Sequence, residues 1–314
     1  MEVIVYLGVH CLEQLSTLFR NALDDITSHC YQHLVPSLKS ANMRYQVLDF
    51  KCALITGGAG GIGLAMAKYF LSKGKKVIIA GRTESKLQTA SKDLGDVPYY
   101  ILDTSDTYSI EQFVHKLTTE HPEVDCLINN AGVQRPLDVN KMNSEDFLTK
   151  ADNELFTNIH GPMHLTLNLL PHLKSHSAAG NGAVIMNVSS VLGINPFSII
   201  NPVYNGTKAW MHFWTMNLRT QLSKDRTDVR VVEIVPPSVG TDLHRERENP
   251  DDNKKEKGAD ALTIDEFMAE VAEQLEQDKE VISAGMGKEL VDRWYGAFGQ
   301  DYSKAEAKLP KKSR

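Results

Sequence analysis

Tyr204 and Lys208 stand four residues apart in Tyr204-Asn205-Gly206-Thr207-Lys208. In a helix that spacing puts both side chains on one face, about one turn apart. A tyrosine hydroxyl near pKa 10 is a poor proton carrier at neutral pH, and a neighbouring ammonium stabilises its phenolate. A shift of about three units asks for roughly 4 kcal/mol, which a close cation and a bound cofactor's charge together can supply. The chemistry expected is proton transfer, with Tyr204 as donor in a reduction. An isolated Tyr-x-x-x-Lys is more often a surface pair, so its weight depends on what else the chain carries. Ser189 and Ser190 follow the apolar run Val184-Ile-Met-Asn-Val188. A hydroxyl there can hydrogen-bond a carbonyl oxygen as negative charge builds on it.

A second constellation would hold a dinucleotide. Thr56-Gly57-Gly58-Ala59-Gly60-Gly61-Ile62-Gly63 joins an expected strand to an expected helix. Glycines there allow a tight turn and let backbone N–H groups approach a pyrophosphate at the positive helix end. The second strand ends Ala80-Gly81-Arg82. An acidic residue at that point would bind the adenosine ribose hydroxyls and repel a 2′-phosphate; here Gly81 occupies it and Arg82 offers a guanidinium. The expected cofactor is therefore NADP rather than NAD. Asp103, at the end of the third strand, could accept from the adenine amino group, with a helix N-cap role for Asp103 or Asp106 as the alternative.

The elements that must position these groups alternate as βα units. Apolar runs predict strands at 52–56, 76–80, 98–102, 124–128, 183–188, 229–235 and 281–284. Most are near-continuous, as in a parallel sheet covered on both faces. Helices are expected over 62–72, 85–94, 109–119, 145–173, 204–222 and 265–277, the last preceded by the capping-box pattern Thr263-Ile-Asp-Glu266. The fold class is α/β: a doubly wound parallel sheet of Rossmann type, three-layer α/β/α, in a single domain. Residues 1–48 are expected as an N-terminal extension, with helical periodicity at Leu12–Ile26. Residues 49–298 form the NADP-binding domain, and residues 299–314 form a C-terminal tail. The charge-dense stretch 242–260 reads as a solvated loop or as a mobile flap over a substrate pocket.

These residues together resemble the short-chain dehydrogenase/reductase family. The turn fits its TGxxxGxG pattern, Asn129-Asn130-Ala131-Gly132 its NNAG motif, and Tyr204 to Lys208 its YxxxK motif. The resemblance implies a hydride exchange between a nicotinamide cofactor and a carbonyl or alcohol substrate. It implies catalytic roles for Asn158, Ser190, Tyr204 and Lys208. Asn158 would hold a water in the proton relay to Lys208. Ser190 is usually the active member of such a pair, but the interval from Ser190 to Tyr204 is one residue longer than usual, which keeps Ser189 as an alternative. Cofactor contacts are implied for Thr56, Gly57, Gly61, Ile62, Gly63, Arg82, Asp103, Asn130, Tyr204, Lys208, Val239 and Thr241. Pro237 stands where the family usually has glycine. Pairing as a homodimer or homotetramer, through the helices carrying Asn158 and Tyr204, is also implied. A non-catalytic dinucleotide sensor or an NAD-linked alcohol dehydrogenase are the competing readings.

Composition narrows the function further. With 34 Lys+Arg against 40 Asp+Glu the formal charge is −6, which gives no footprint for nucleic acid or anionic lipid. Hydrophobic residues make up 42% and charged residues 24%, an ordinary globular balance. No apolar stretch is long enough to span a membrane, and the first residues lack the basic start of a secretion signal. Cys11, Cys30, Cys52 and Cys126 have no zinc or disulfide spacing, and the histidines form no spaced ligand pair with a carboxylate. No metal and a cytoplasmic location are expected. Asn187-Val-Ser189 and Asn205-Gly-Thr207 match glycosylation sequons but lie inside the constellation. The run Ile194–Val203 is largely apolar and suggests a hydrophobic or aromatic carbonyl compound as substrate.

Overall fold

The structure is a computed structural model, which describes residues 45–225 and 227–310. The periodicity at Leu12–Ile26, Cys11, Cys30 and residues 311–314 lie outside the described residues. Seven strands form one parallel sheet in the order β3-β2-β1-β4-β5-β6-β7. They are β1 (Cys52–Thr56), β2 (Lys76–Gly81), β3 (Tyr99–Ile101), β4 (Cys126–Asn129), β5 (Ala183–Val188), β6 (Val229–Val235) and β7 (Val281–Ser283). Every residue of β1, β4, β5 and β6 is buried, which is why these strands read as apolar runs without alternation.

The pleat sends successive side chains to opposite faces, and each face has its own core. Ile55 and Ile79 pack with Met66 and Phe70 of α1 (Gly61–Ser72), Leu87 of α2 (Glu84–Asp93) and Phe267 of α7 (Ile264–Glu276). Leu54 and Ile78 pack with Ile110 and Leu117 of α3 (Thr107–Glu120), Leu165 and Leu169 of α5 (Gly161–Ala178), and Leu218 of α6 (Pro202–Lys224). The capping box forms at the start of α7, with Thr263 and Glu266 each accepting the other's backbone N–H. Cys52 and Cys126 are free thiols buried in the sheet. Strand order reverses between β1 and β4, which opens a crevice at their carboxyl ends.

Three elements differ from the expectation. The helix expected over 145–173 is α4 (Ser144–Leu155), a π-helical turn (Phe156–His160) and then α5. The Gly161 N–H donates to the Phe156 carbonyl, five residues back. Pro162, four residues beyond Asn158, has no N–H, so the Asn158 carbonyl lacks its α-helical donor. A further helix, α8 (Gly287–Lys308), was not legible, and the division expected at 298/299 falls inside it. It is polar along most of its length and buries only Gly287 and Val291. Its aromatic side holds it to α6: the Trp294 and His212 ring centroids are 4.5 Å apart, and Tyr302 Oη lies 2.8 Å from Thr220 Oγ1. Lastly, among the described residues, those from Tyr45 already pack on the domain, ahead of the boundary expected at residue 49. Val47 and Phe50 are fully buried, the Val47 N–H donates to Asp278 at 2.7 Å, and Arg230 donates to the Tyr45 carbonyl at 2.6 Å.

Candidate active site

The crevice is a cavity of about 1000 Å³ whose floor is the glycine turn between β1 and α1. Gly57 and Gly61 adopt φ of +67° and +52°, a region costly for residues with a Cβ. A Cβ on Gly63 would lie 2.4 Å from the Gly57 carbonyl oxygen and 2.5 Å from Asn130 Nδ2. Thr56 ties this turn to the end of β4. Its hydroxyl accepts from the N–H of Asn130 at 3.0 Å and of Ala131 at 3.1 Å, and donates to the Ile128 carbonyl at 3.1 Å. The Asn130 amide in turn donates to the Thr56 carbonyl at 2.9 Å. Gly57, Gly61, Ile62, Arg82, Asn130, Val239 and Thr241 all line the cavity.

Thr56, Gly63 and Asp103 do not line the cavity. Thr56 and Gly63 shape its wall from behind. The Asp103 carboxylate closes its own turn by accepting the Ser105 N–H at 2.9 Å and hydroxyl at 2.7 Å, while its neighbours Leu102 and Thr104 form the wall. An open cradle, backbone with no room for a Cβ at Gly57, Gly58 and Gly63, and an exposed guanidinium at the end of β2 together fit a dinucleotide phosphate.

Ser190, Tyr204 and Lys208 meet on one wall of the same cavity. Pro202 starts α6 just before Tyr204 and Lys208, and its preset φ suits a first helical turn. The Lys208 ammonium lies 5.6 Å from the Tyr204 ring centre and donates to the Val188 carbonyl at 2.8 Å. Burial lowers Lys208 to about 8. Burial, then the Glu154 carboxylate, pushes Tyr204 well above its ordinary value, against a hydrogen bond with Ser190 and the charge of Arg247. The expectation that Lys208 lowers Tyr204 is thus not met by the chain alone. Desolvation dominates, and Lys208 is not among the groups that offset it.

The two serines part company. Ser189 donates to the buried Glu233 carboxylate at 2.6 Å, which also faces His212 Nδ1 at 2.9 Å. Ser190 instead turns to Tyr204 and caps the short turn Val191–Gly193. Asn158 does not line the cavity. Its side chain is bound to both polar atoms of the Val133 backbone, at 2.9 Å each, and to Thr207 at 3.1 Å. Pro162 withholds the α-helical donor from its main-chain carbonyl, in the widened turn.

Several site residues were missed. Arg247, from the charge-dense stretch, lines the cavity and is held by Gln134, Asn201 and Asp252. Glu154 is fully buried, accepts the Arg135 N–H, and is pushed up to about 7 by burial against that bond and the Arg135 charge. The apolar run 194–203, expected to frame the pocket, does so in part: Phe197 and Ser198 line the cavity, while Ile199 is 82% exposed.

A twisted parallel sheet with a glycine cradle at its switch point and a Tyr/Lys pair beside it defines a dinucleotide-dependent α/β oxidoreductase. Residues 51–252 match the family model described as short chain dehydrogenase, and the chain belongs to that family. It is 38% identical over 192 residues to an uncharacterized oxidoreductase, DltE, of Bacillus subtilis, covering 61% of this chain and 73% of that one. It is 35% identical over 207 residues to the NADP-dependent 3-hydroxy acid dehydrogenase YdfG of Escherichia coli K12, covering 65% and 79%. Among solved structures it resembles 3-ketoacyl-(acyl-carrier-protein) reductase from Brucella melitensis complexed with NADH, at TM-score 0.64, 28% identity, and coverage of 75% and 96%. It also resembles the closed form of serine dehydrogenase complexed with NADP+, at 0.62, 28%, 74% and 93%. Nicotinamide dinucleotide binding and oxidoreductase chemistry on hydroxyl or carbonyl groups follow from the family. No helix among the described residues is long and apolar enough to cross a membrane.

Proposed function

We propose that the chain is an NADP(H)-dependent oxidoreductase acting on a small carbonyl or alcohol substrate, with Tyr204 as general acid and base. The observation that carries this reading is the meeting of Ser190, Tyr204 and Lys208 on the cavity that also holds the glycine cradle and Arg82. The bound cofactor supplies or accepts the hydride. Arg82 would hold its 2′-phosphate, the turn from Gly57 to Ile62 its pyrophosphate, and Lys208 its nicotinamide ribose. Asn130, Val239 and Thr241 line the nicotinamide end, with Thr56, Gly63 and Asp103 supporting the wall. The NADP-dependent relative from Escherichia coli supports the preference over NAD.

Ser190 donates to the substrate oxygen as charge develops on it. Burial keeps Tyr204 protonated, which is the form a reduction uses, and Tyr204 delivers that proton to the same oxygen. A water on the Asn158 carbonyl replenishes it by way of Lys208. Phe156, Leu167 and Phe213 stand exposed on the helices carrying Asn158 and Tyr204, which supports homodimer or homotetramer pairing there. The free thiols of Cys52 and Cys126 suit a reducing compartment and support a cytoplasmic location. The test is NADPH oxidation against a panel of ketones, aldehydes and oxo acids. Turnover that vanishes in Tyr204→Phe is expected; no turnover with any of them contradicts the reading.

A further inference from the structure

Tyr204, Lys208 and His212 follow one another at four-residue intervals on α6, so they share one face of the helix. Lys208 reaches the end of β5 through its bond to the Val188 carbonyl. One turn later His212 reaches the same end of β5 by way of Glu233, which stands on β6 in register with Asn187 of β5. The Glu233 carboxylate accepts the His212 Nδ1–H on both oxygens, at 3.0 and 2.9 Å, and the Ser189 hydroxyl at 2.6 Å. Glu233 is 0% exposed and His212 1%. One carboxylate thus ties α6, β5 and β6 together at Ser189, which lies between Val188, whose carbonyl holds Lys208, and Ser190.

Among the described residues this network has no exit. His212 Nε2 is buried without a partner, and its ring meets Trp294 of α8 edge on, with centroids 4.5 Å apart and planes at 90°. A proton therefore has no path along it from the cavity to water. Net stability does not account for the pair either, because desolvation of a buried carboxylate offsets much of what its hydrogen bonds return. What the pair does supply is direction. Two hydrogen bonds to one carboxylate tolerate little rotation, whereas apolar contacts lose uniqueness of packing before they lose stability. Any rotation of α6 would carry Lys208 and Tyr204 away from Val188 and Ser190.

We propose that His212 and Glu233 are positioning residues for the active site. Their bond fixes the rotation of α6 against the end of β5, and with it the place of Lys208 at the nicotinamide ribose and of Tyr204 beside Ser190. This inference rests on the oxidoreductase reading above and extends its machinery to a pair that lines no part of the cavity.

The test uses the full-length protein, NADPH and a carbonyl substrate from the panel above. In the double variant His212→Leu/Glu233→Leu an apolar pair replaces the polar one, which removes the direction without leaving a lone charge. It is expected to melt near the wild type and yet to lose about 100-fold in kcat. It should bind NADPH about 10-fold more weakly, through the displaced Lys208. Adenosine 2′,5′-bisphosphate, which lacks the nicotinamide ribose, should bind as before, and this binding arm reads the proposal without turnover. Single variants carry the test if the double one does not fold. His212→Asn sets an amide N–H at the Nδ1 position and should keep most of the turnover. His212→Gln sets it one bond further out, past Glu233, and should be slow. Wild-type kcat in the double variant, or equal kcat in the asparagine and glutamine variants, would overturn the proposal. So would NADPH and the bisphosphate weakened alike, as a purely structural pair predicts. Failure of the oxidoreductase reading is distinct, because the wild type itself would then neither bind NADPH nor turn over any carbonyl.

Discussion

Replacing Gly81 with aspartate should turn cofactor preference from NADP(H) toward NAD(H). Gly81 ends β2 on the cavity wall, next to Arg82. A Cβ built there meets only Leu87, at 3.6 and 3.9 Å, which is ordinary contact, so the fold admits the substitution. A carboxylate about 4 Å from a 2′-phosphate in water-like dielectric costs about 1 kcal/mol per phosphate charge, or ~1–2 kcal/mol. The same carboxylate gains ~1.5–3 kcal/mol by accepting from a ribose hydroxyl of NADH. The swing is about 2.5–5 kcal/mol, or ~60- to ~4,000-fold in the ratio of dissociation constants. Titration of both cofactors by tryptophan fluorescence, at one fixed ionic strength, measures it. A ratio that moves less than about threefold would refute the placement of the adenosine ribose at the end of β2.

The two serines should separate by assay. Ser190→Ala is expected to lower kcat by about 100- to 1,000-fold. Ser189→Ala should chiefly cost stability, about 1–2 kcal/mol or roughly 2–8 °C in Tm, by removing one hydrogen bond to the buried Glu233 carboxylate; thermal unfolding and steady-state rates on both variants check this. Gly63→Ala should weaken NADPH binding and destabilise by about 1–3 kcal/mol, because its Cβ has no room against the Gly57 carbonyl; calorimetric titration and denaturant melts read both. Glu154 is raised from 4.5 to about 7 in the fold, so its contribution is fully present below pH 4.5 and is lost as pH rises toward about 7. Relative to Glu154→Gln, the wild type should therefore lose stability over that window and stay level above it. Urea midpoints at several pH values from 4.5 to 8 would show a rising difference if the argument were wrong.

The parallel sheet was legible because its central strands are buried on both faces and leave apolar runs such as Cys52–Ile55. The glycine turn and the Tyr204/Lys208 pair were legible because their chemistry lies in local spacing. The contact that sets Ser189 apart from Ser190 was not, since its partner Glu233 lies 44 residues away. Asn158 was expected within a continuous helix and lies in its π-helical turn, with its side chain bound to Val133 and Thr207; Pro162, four residues on, carried the signal for a widened turn. Arg247 was hidden in a stretch whose charge density reads as solvated. Its burial depends on Gln134 and Asn201, 113 and 46 residues distant. Helix α8 was missed because so little of it is buried that no apolar stripe marks it.

The central claim is that Tyr204 moves the proton at a cofactor-filled crevice. Tyr204→Phe removes one hydroxyl from a buried ring and leaves the glycine cradle and Arg82 untouched. Measured side by side, NADPH affinity and turnover should divide: the dissociation constant stays within about threefold while kcat falls by at least ~100-fold. A variant that keeps wild-type turnover on a substrate of the native protein would contradict the account.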